Sequence, residues 1–373
     1  MTTTAPDPTL DDQVQAFSDA VFAATLGAME LTVASFGRQL GLYAALRGTT
    51  AGLTAPELAA AAGIDTRYAR EWLEQQAVAG VLTVLDGDPE SADAENADPD
   101  ARRFALPAAH AIALLDEEHP AYIGALADIP PIIARTFDAV TGAFRTGAGV
   151  PFAAYGLHDM QAGFTRPMFA SSLVSEWLPA LPDVHARLVA GEALRIADFG
   201  CGEGWASIYV AEAYPNVTMH GFDMDDASIA AARRNAAERG LGDRLTFEVR
   251  DVSDPSFANE YDLVFACEVV HDLSDPVTVL GAMRRATPNG AVLIIDENAD
   301  ERFDPTGDPI QRLLYSFSVL HCLPAGRDAE HSEATGTVMR PDTLRRYAHG
   351  GGFSRVEVLP IEHPVFRFYR LWG

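Results

Sequence analysis

The sequence predicts an α/β fold: a doubly wound, mostly parallel sheet of seven strands in the second half, behind a mainly helical first half. Three observations predict it. From Arg195 onward, short apolar runs alternate with helical stretches, the pattern of a parallel sheet wound with helices. The first of these runs leads straight into a glycine-rich turn at Gly200 to Gly204. Before residue 190, apolar residues recur at steps of three and four, the helical period.

In the helical half, Val14, Phe17, Val21, Met29, Val33, Phe36 and Leu40 mark a helix over 13–46, which Gly27 and Gly37 are expected to interrupt. This stripe has no local partner to cover it and predicts a homodimer. Thr54 and Glu57 have capping-box spacing around Pro56, and Gly63 ends the helix they open. Asp65 or Thr66 caps a second helix, Arg67 to Ala79, and a strand follows over Val81 to Leu85. Helix, turn, helix and strand give a winged-helix order. Its wing, Asp86 to Asp100, carries seven acids and no base.

Residues 107–190 read as connecting helices and pocket wall, broken by Pro130-Pro131 and by the glycine-rich stretch Thr146 to Gly156. Strands are expected at 195–199, 217–222, 245–250, 261–267, 290–296, 354–359 and 365–371, the last two forming a hairpin about Glu362-His363-Pro364. The organisation is therefore a winged-helix-like dimerisation domain (1–106), a helical linker and pocket wall (107–190) and a Rossmann-like domain (191–373).

Composition narrows the chemistry. The chain has 373 residues, 48% of them hydrophobic, enough for sizeable cores. No uninterrupted apolar run reaches the roughly 20 residues of a bilayer span, and the polar, acidic first residues lack signal-peptide character. A cytoplasmic protein is expected. The net charge of −26 disfavours nucleic acid and anionic membranes. All 27 basic residues are arginine, which excludes a lysine Schiff base and a P-loop lysine. The three cysteines, Cys201, Cys267 and Cys322, fit neither a disulfide framework nor a paired-cysteine zinc site. Cys201 and Cys267 read as small buried hydrophobes. His321, Cys322, His331 and Glu333 match no metal-ligand spacing, so no metal is expected.

The strongest motif is Ile196-Ala197-Asp198-Phe199-Gly200-Cys201-Gly202-Glu203-Gly204. Gly200, Gly202 and Gly204 let the backbone turn tightly and approach a ligand. The next strand ends at Asp223, where a carboxylate can accept both hydroxyls of a ribose. The third ends at Asp251-Val252, where an acid can accept from an adenine amine. The acids Asp198 and Glu203 disfavour a pyrophosphate and suit a cationic ligand. S-adenosyl-L-methionine, with its sulfonium and amino group, has that chemistry. The plainer alternative is that the glycines merely turn a strand into a helix and the acids cap helices; it requires three motifs to coincide in order.

At these residues the chain resembles the class I methyltransferases over about residues 190–373. The resemblance implies that the Gly200 to Gly204 backbone lines the methionine moiety. It places Asp223 on the ribose, Met224 against the adenine and Asp251 near the adenine amine, with Val252 and Cys267 also at the cofactor. After the fourth strand, His271-Asp272-Leu273-Ser274-Asp275 resembles the catalytic segment of plant-type small-molecule O-methyltransferases, which also carry a winged-helix-like dimerisation domain. That resemblance implies His271 as the base that deprotonates an acceptor hydroxyl and Glu297 as the acid that orients it. It implies Phe164 and Met168 as pocket walls, with Asp272, Phe317 and His321 also facing the substrate. The family's second flanking glutamate has no counterpart near Met339. In domain order the chain is closer to bacterial winged-helix methyltransferases.

Leu313, Leu314, Phe317 and Leu320, within the insertion Arg302 to Arg340, read either as core packing or as a lid over an apolar acceptor pocket. His271 could also be a loop histidine that bonds a backbone carbonyl. The expected function is methyl transfer to a small molecule, at oxygen. The alternatives are a cofactor-binding relative turned to hydroxylation or rearrangement, and a transcriptional regulator. The last would need arginines facing DNA, and Arg67 and Arg70 are accompanied by Glu71 and Glu74.

Overall fold

The computed structural model describes residues 7–85, 98–254 and 260–373. It divides into two compact units, Met1–Pro131 and Ile132–Gly373.

The first unit opens on α1 (Leu10–Gln39) and α2 (Leu42–Leu46). The expected interruptions at Gly27 and Gly37 do not occur; α1 runs through both, and the break comes at Gly41, whose φ is +68°. Gly37 serves packing instead, because a Cβ there would lie 2.6 Å from the Trp72 ring. Helices α3 (Ala55–Ala62) and α4 (Thr66–Val78) follow. The Thr54 hydroxyl accepts from the Glu57 N–H at 3.4 Å, and the Glu57 carboxylate accepts from the Thr54 N–H at 2.9 Å. Asp65 caps α4 through the N–H groups of Arg67 and Tyr68. Strand β1 (Thr83–Val84), shorter than expected, pairs antiparallel with β2 (Phe104–Ala105), and α5 (Ala108–Leu115) comes next. Leu42, Tyr43, Leu46, Leu58, Leu73 and Phe104 form the core. Of the acidic wing, Asp86 to Ala97 lies outside the described residues.

Between Ala20 and Gly37 only Glu30 is charged. By length and composition α1 could cross a membrane, and its apolar stretch is mostly exposed. No continuous apolar run exists, because Thr, Ser and Gly interrupt it, yet on average the helix is apolar.

Helix α6 (Ile129–Thr146) straddles the division. The second unit continues with α7 (His158–Met168), a π-helical run over Phe169–Trp177, and α8 (Pro182–Val189). Then come β3 (Arg195–Phe199), α9 (Trp205–Ala213), β4 (Thr218–Asp223), α10 (Asp226–Glu238), β5 (Leu245–Val249), β6 (Leu263–Cys267), α11 (Pro276–Ala286) and β7 (Ala291–Glu297). After β7 lie α12 (Pro309–Phe317), a π-helical run over Ser318–Cys322, α13 (Leu323–Gly326), α14 (Pro341–Gly350), β8 (Arg355–Val358) and β9 (Phe366–Trp372). All seven expected strands form, within a residue or two of their bounds. Their order is β5-β4-β3-β6-β7-β9-β8, parallel except where β9 pairs antiparallel with β7 and β8.

Strand alternation builds the two layers. Leu263, Phe265, Leu293 and Ile295 face a cluster that contains Trp177, Ile208 and Val210. Val264, Ala266, Val292 and Ile294 face a second cluster with Leu280, Met283 and Leu344. Each fully buried Leu or Ile contributes roughly 1.5–3 kcal/mol. Helices cover both faces, as a parallel sheet requires, so the carboxyl ends of the strands are the natural place for a ligand. The strand order reverses between β3 and β6, which marks the crevice.

Candidate active site

The turn after β3 is held by β4: the N–H groups of Gly200 and Cys201 both donate to the Phe222 carbonyl, at 2.7 and 3.0 Å. Gly200 and Gly204 sit at φ of +73° and +80°. A Cβ on Gly200 would lie 2.5 Å from Val269, and one on Gly204 2.7 Å from Phe247. The Gly200 turn thus touches the loop after β6, which carries His271. Two motifs far apart in sequence meet at the switch point.

Three of the acids expected at the cofactor differ in setting. Asp198 is buried and accepts from the Ser207 hydroxyl at 2.9 Å. Burial, with the nearby charge of Asp223, pushes its carboxyl up to about 7 against that bond. Asp223 accepts from the N–H of Gly202 at 2.9 Å and of Asp225 at 3.0 Å, and burial raises its pKa. It therefore ties the glycine turn to the end of β4 and keeps lone pairs for a diol. Asp251 is exposed and accepts from the Ser253 N–H at 2.8 Å. Met224 is exposed beside Asp223, Val252 is half-buried, and Cys267 ends β6. Cys201 is buried in the core, Cys267 packs against it, and burial raises both thiols well above their ordinary range.

His271 is buried in the short turn after β6, 2% exposed. Its Nδ1 lies 2.9 Å from Oδ1 of Asp296 and 2.8 Å from Oε2 of Glu297. Its Nε2 lies 3.3 Å from Oδ1 of Asp272. The backbone carbonyl of the alternative reading is not its partner. Burial alone would lower the imidazole pKa, but Glu297, Asp272 and Asp296 outweigh it and raise it well above the ordinary value. Burial pushes Glu297 well up, whereas His271 and hydrogen bonds from Glu297 hold Asp296 below the usual carboxylate range against its own burial. Burial thus disfavours the charge on Glu297, while His271 and the bonds from Glu297 favour it on Asp296. Sequence reasoning missed Asp296. It also missed Glu268, which has a φ of +56° and whose carboxyl burial pushes up to about 7. The place of the absent glutamate is core: Met339 is 1% exposed.

Around this centre, His321 is buried at the end of the second π-helical run. The rings of Tyr155 and Phe152 meet it edge-on, with centroids at 4.5 and 5.7 Å. Phe164 is half-buried on α7, Met168 packs on the core at its end, and Phe317 is half-buried at the end of α12. Leu314 of the insertion is buried. Two triads bring possible metal-ligand atoms within 4.8 Å of one another, His271–Asp272–Cys322 and His271–Asp296–Glu297.

Comparison with known proteins agrees with this geometry. Residues 190–321 match the family described as a methyltransferase domain, and residues 27–115 match an Rv2258c-like winged HTH domain. The chain is 29% identical over 191 residues to a ubiquinone biosynthesis O-methyltransferase of Nitrosospira multiformis, covering 51% of this chain and 74% of the relative. Other curated relatives are matched over little of their length, 24% of one and 7% of another. Among solved structures, the mitomycin 7-O-methyltransferase MmcR aligns with a TM-score of 0.66 at 21% identity, over 97% of this chain and 99% of that one. Human N-acetylserotonin methyltransferase, solved with SAM, aligns with a TM-score of 0.64 at 15% identity, over 98% and 99%. These structures share the fold. Residues 190–321 are a methyltransferase domain.

Proposed function

We propose that this S-adenosylmethionine-dependent methyltransferase transfers the methyl group to an oxygen of a small molecule, with His271 as general base. The observation that carries the reading is His271 itself, buried at the crevice with Nδ1 beside Asp296. A carboxylate on Nδ1 fixes the ring, and in the neutral imidazole Nε2, which lies 3.3 Å from Asp272, is the atom that takes a proton from a hydroxyl. The O-methyltransferase relatives support oxygen as the acceptor atom.

In this reading the Gly200–Gly204 turn and Asp198 receive the methionine end of the cofactor. Asp223 and Met224 receive the ribose and adenine, and Asp251 and Val252 lie at the adenine edge. Methyl transfer then needs little beyond in-line positioning, because the sulfonium is already a good leaving group. The hydroxyl proton passes to Nε2 as the oxygen attacks the methyl carbon. Phe164, Met168 and Phe317 line the acceptor side.

The winged helix serves assembly in this reading, and not DNA. Arg67 pairs with Glu71, and Arg70 with Asp100 at 3.4 Å, so both arginines that could face phosphates are already engaged. The apolar face of α1 pairs two copies, in a chain acting in the cytoplasm. Transfer of labelled methyl from the cofactor into a panel of phenols, alcohols, amines and thiols tests the reading. Label in phenols, lost in His271→Ala, supports it. Label confined to amines or carbon overturns the base assignment. Turnover of a substrate without consumption of the cofactor would identify a relative that no longer transfers methyl.

A further inference from the structure

The first turn of α7 lies against the cofactor crevice. His158, the first residue of that helix, has its Nε2 3.1 Å from Oδ2 of Asp225. Asp225 stands two residues beyond Asp223, and its N–H donates to Oδ1 of Asp223 at 3.0 Å. Its carboxylate also caps α10, accepting from the Ser228 N–H at 2.6 Å. Burial alone would raise the Asp225 carboxyl, but the bonds from Ser228 and the His158 ring outweigh it and hold it below the usual carboxylate range. The glycine turn feels the same end of α7. Burial raises the Glu203 carboxyl and Asp159 raises it further, while a bond from Trp205, His158 and Arg234 oppose them. His158 and Asp159 therefore face both turns, the one after β3 and the one after β4. The His158 and Asp225 side chains are only 22% and 23% exposed, so salt and water screen the pair less than a surface pair. The contact is bent, and Nε2 is left buried without a full hydrogen bond. A buried ring nitrogen short of its bond is a standing cost. A small movement of α7 toward Asp225 removes that cost.

We propose that His158 is a positioning residue for the cofactor: with Asp225 it latches the start of α7 to the loop that receives the ribose. The latch and the ribose share one short loop, Asp223 to Asp225, so each steadies the other. A ribose on Asp223 fixes the loop, which fixes the carboxylate that His158 needs; a closed latch in turn holds Asp223 in place for the ribose. Such coupling is reciprocal by thermodynamic necessity. His158 touches no reacting atom in this arrangement. The inference rests on the methyl-transfer reading above, which puts the ribose at Asp223, and deepens it by naming the residue that ties α7 to that site.

The test is calorimetric titration of the full chain with S-adenosylhomocysteine, set beside melting of the cofactor-free protein. Asp225→Asn keeps the cap on Ser228, because asparagine caps as well as aspartate, and removes the charge facing His158. His158→Ala and Asp225→Asn are each expected to weaken S-adenosylhomocysteine binding at least about fivefold, the lower end of coupling between sites. The double variant should lose no more than the larger single loss, since both changes remove one contact. His158→Gln, whose amide can donate to Asp225, should recover part of the affinity. Cofactor-free melting should stay close to the wild type in all of them, whereas a merely structural pair would lower melting and leave affinity alone. Affinity of His158→Ala within about twofold of the wild type, or losses that multiply in the double variant, would overturn the latch. Failure of S-adenosylhomocysteine to bind the wild type would instead overturn the methyl-transfer reading.

Discussion

Nδ1 of His271 lies 2.9 Å from Oδ1 of Asp296, and the same carboxylate oxygen accepts the Glu297 N–H at 3.0 Å. The backbone of β7 therefore fixes the acid that fixes the base. Asp296 is 1% exposed and has no freedom to rotate away without breaking both bonds.

Asp296→Asn should cost more than Glu297→Gln. Asparagine cannot stabilise the imidazolium that forms, and its amide can present N–H groups to Nδ1. Burial raises the Glu297 pKa and disfavours its charge, so the uncharged glutamine perturbs it less. The kcat of Asp296→Asn should fall at least about tenfold, the lower part of what a base contributes, and Glu297→Gln should change it by less. Cofactor affinity should be preserved in both. A larger loss in Glu297→Gln would return the orienting role to Glu297.

That pair shows where sequence reading stops. Strand alternation assigns Asp296 and Glu297 to opposite faces, but β7 is buried along its whole length and both carboxyls reach His271. A family pattern names one acid; packing brings a second to the same nitrogen. The places of the glycine turn and of Asp223 are legible because the backbone sets them: a strand end and a left-handed turn. Gly37 misled, since a glycine needed for contact with Trp72 looks the same as a helix breaker. The π-helical runs and the left-handed Glu268 leave no local signature, because tertiary contacts impose them.

The pH dependence follows from the carboxylates around His271. Burial lowers its pKa, but Glu297, Asp272 and Asp296 outweigh this and raise it well above the ordinary value. At low pH the ring is imidazolium and cannot accept a proton, so kcat should rise with pH along a limb above about 6.5, the unperturbed value. Asp272→Asn removes the charge facing Nε2 and should move that limb to lower pH, with His321, Cys322, Glu268, Asp296 and Glu297 left in place. The pH–rate profile of the two proteins checks it; an unmoved limb would assign the titration to another group.

Asp198 links cofactor binding to stability. Its folded pKa is raised to about 7 by burial, above the ordinary carboxylate value. Between those values the folded chain holds a proton that the unfolded chain has released. Stability is therefore full below the ordinary value and is lost as pH rises through about 7. Asp198→Asn imitates the protonated form. Without cofactor it should melt several degrees above the wild type at pH 8 and close to it at pH 4. It should bind S-adenosylmethionine at least about tenfold more weakly, as expected when a charged hydrogen-bond partner is lost. Equal melting shifts at both pH values would refute the link.

Gly200→Ala should disable the site without unfolding the domain. The new Cβ would meet Val269 at 2.5 Å, and φ of +73° strains any L residue. The strain is about 1–3 kcal/mol, which a sheet buried on both faces can absorb. The loops after β3 and β6 must then part, which separates the cofactor turn from His271. Cofactor affinity and turnover should fall together, while far-ultraviolet circular dichroism stays native. Wild-type affinity in Gly200→Ala would mean that this contact is slack.

The last prediction concerns α1. Phe17, Phe22 and Met29 are 72%, 71% and 64% exposed, on a helix with Val14, Leu26 and Phe36 also in the open. Such a surface needs a cover. A second copy supplies an identical apolar face, and two-fold pairing is the commonest closed assembly. Burying each large side chain would contribute roughly 1.5–3 kcal/mol. A bilayer is the other cover that an apolar helix admits, but Asp11, Asp12, Asp19 and Glu30 on α1 and the net charge of −26 oppose anionic lipid. Phe22→Glu places a charge in the middle of the stripe and removes no contact within the first unit's core. The wild type should sediment as a dimer at micromolar concentration, and Phe22→Glu as a monomer that still binds S-adenosylmethionine. A monomeric wild type that floats with anionic vesicles would replace the partner copy with a membrane.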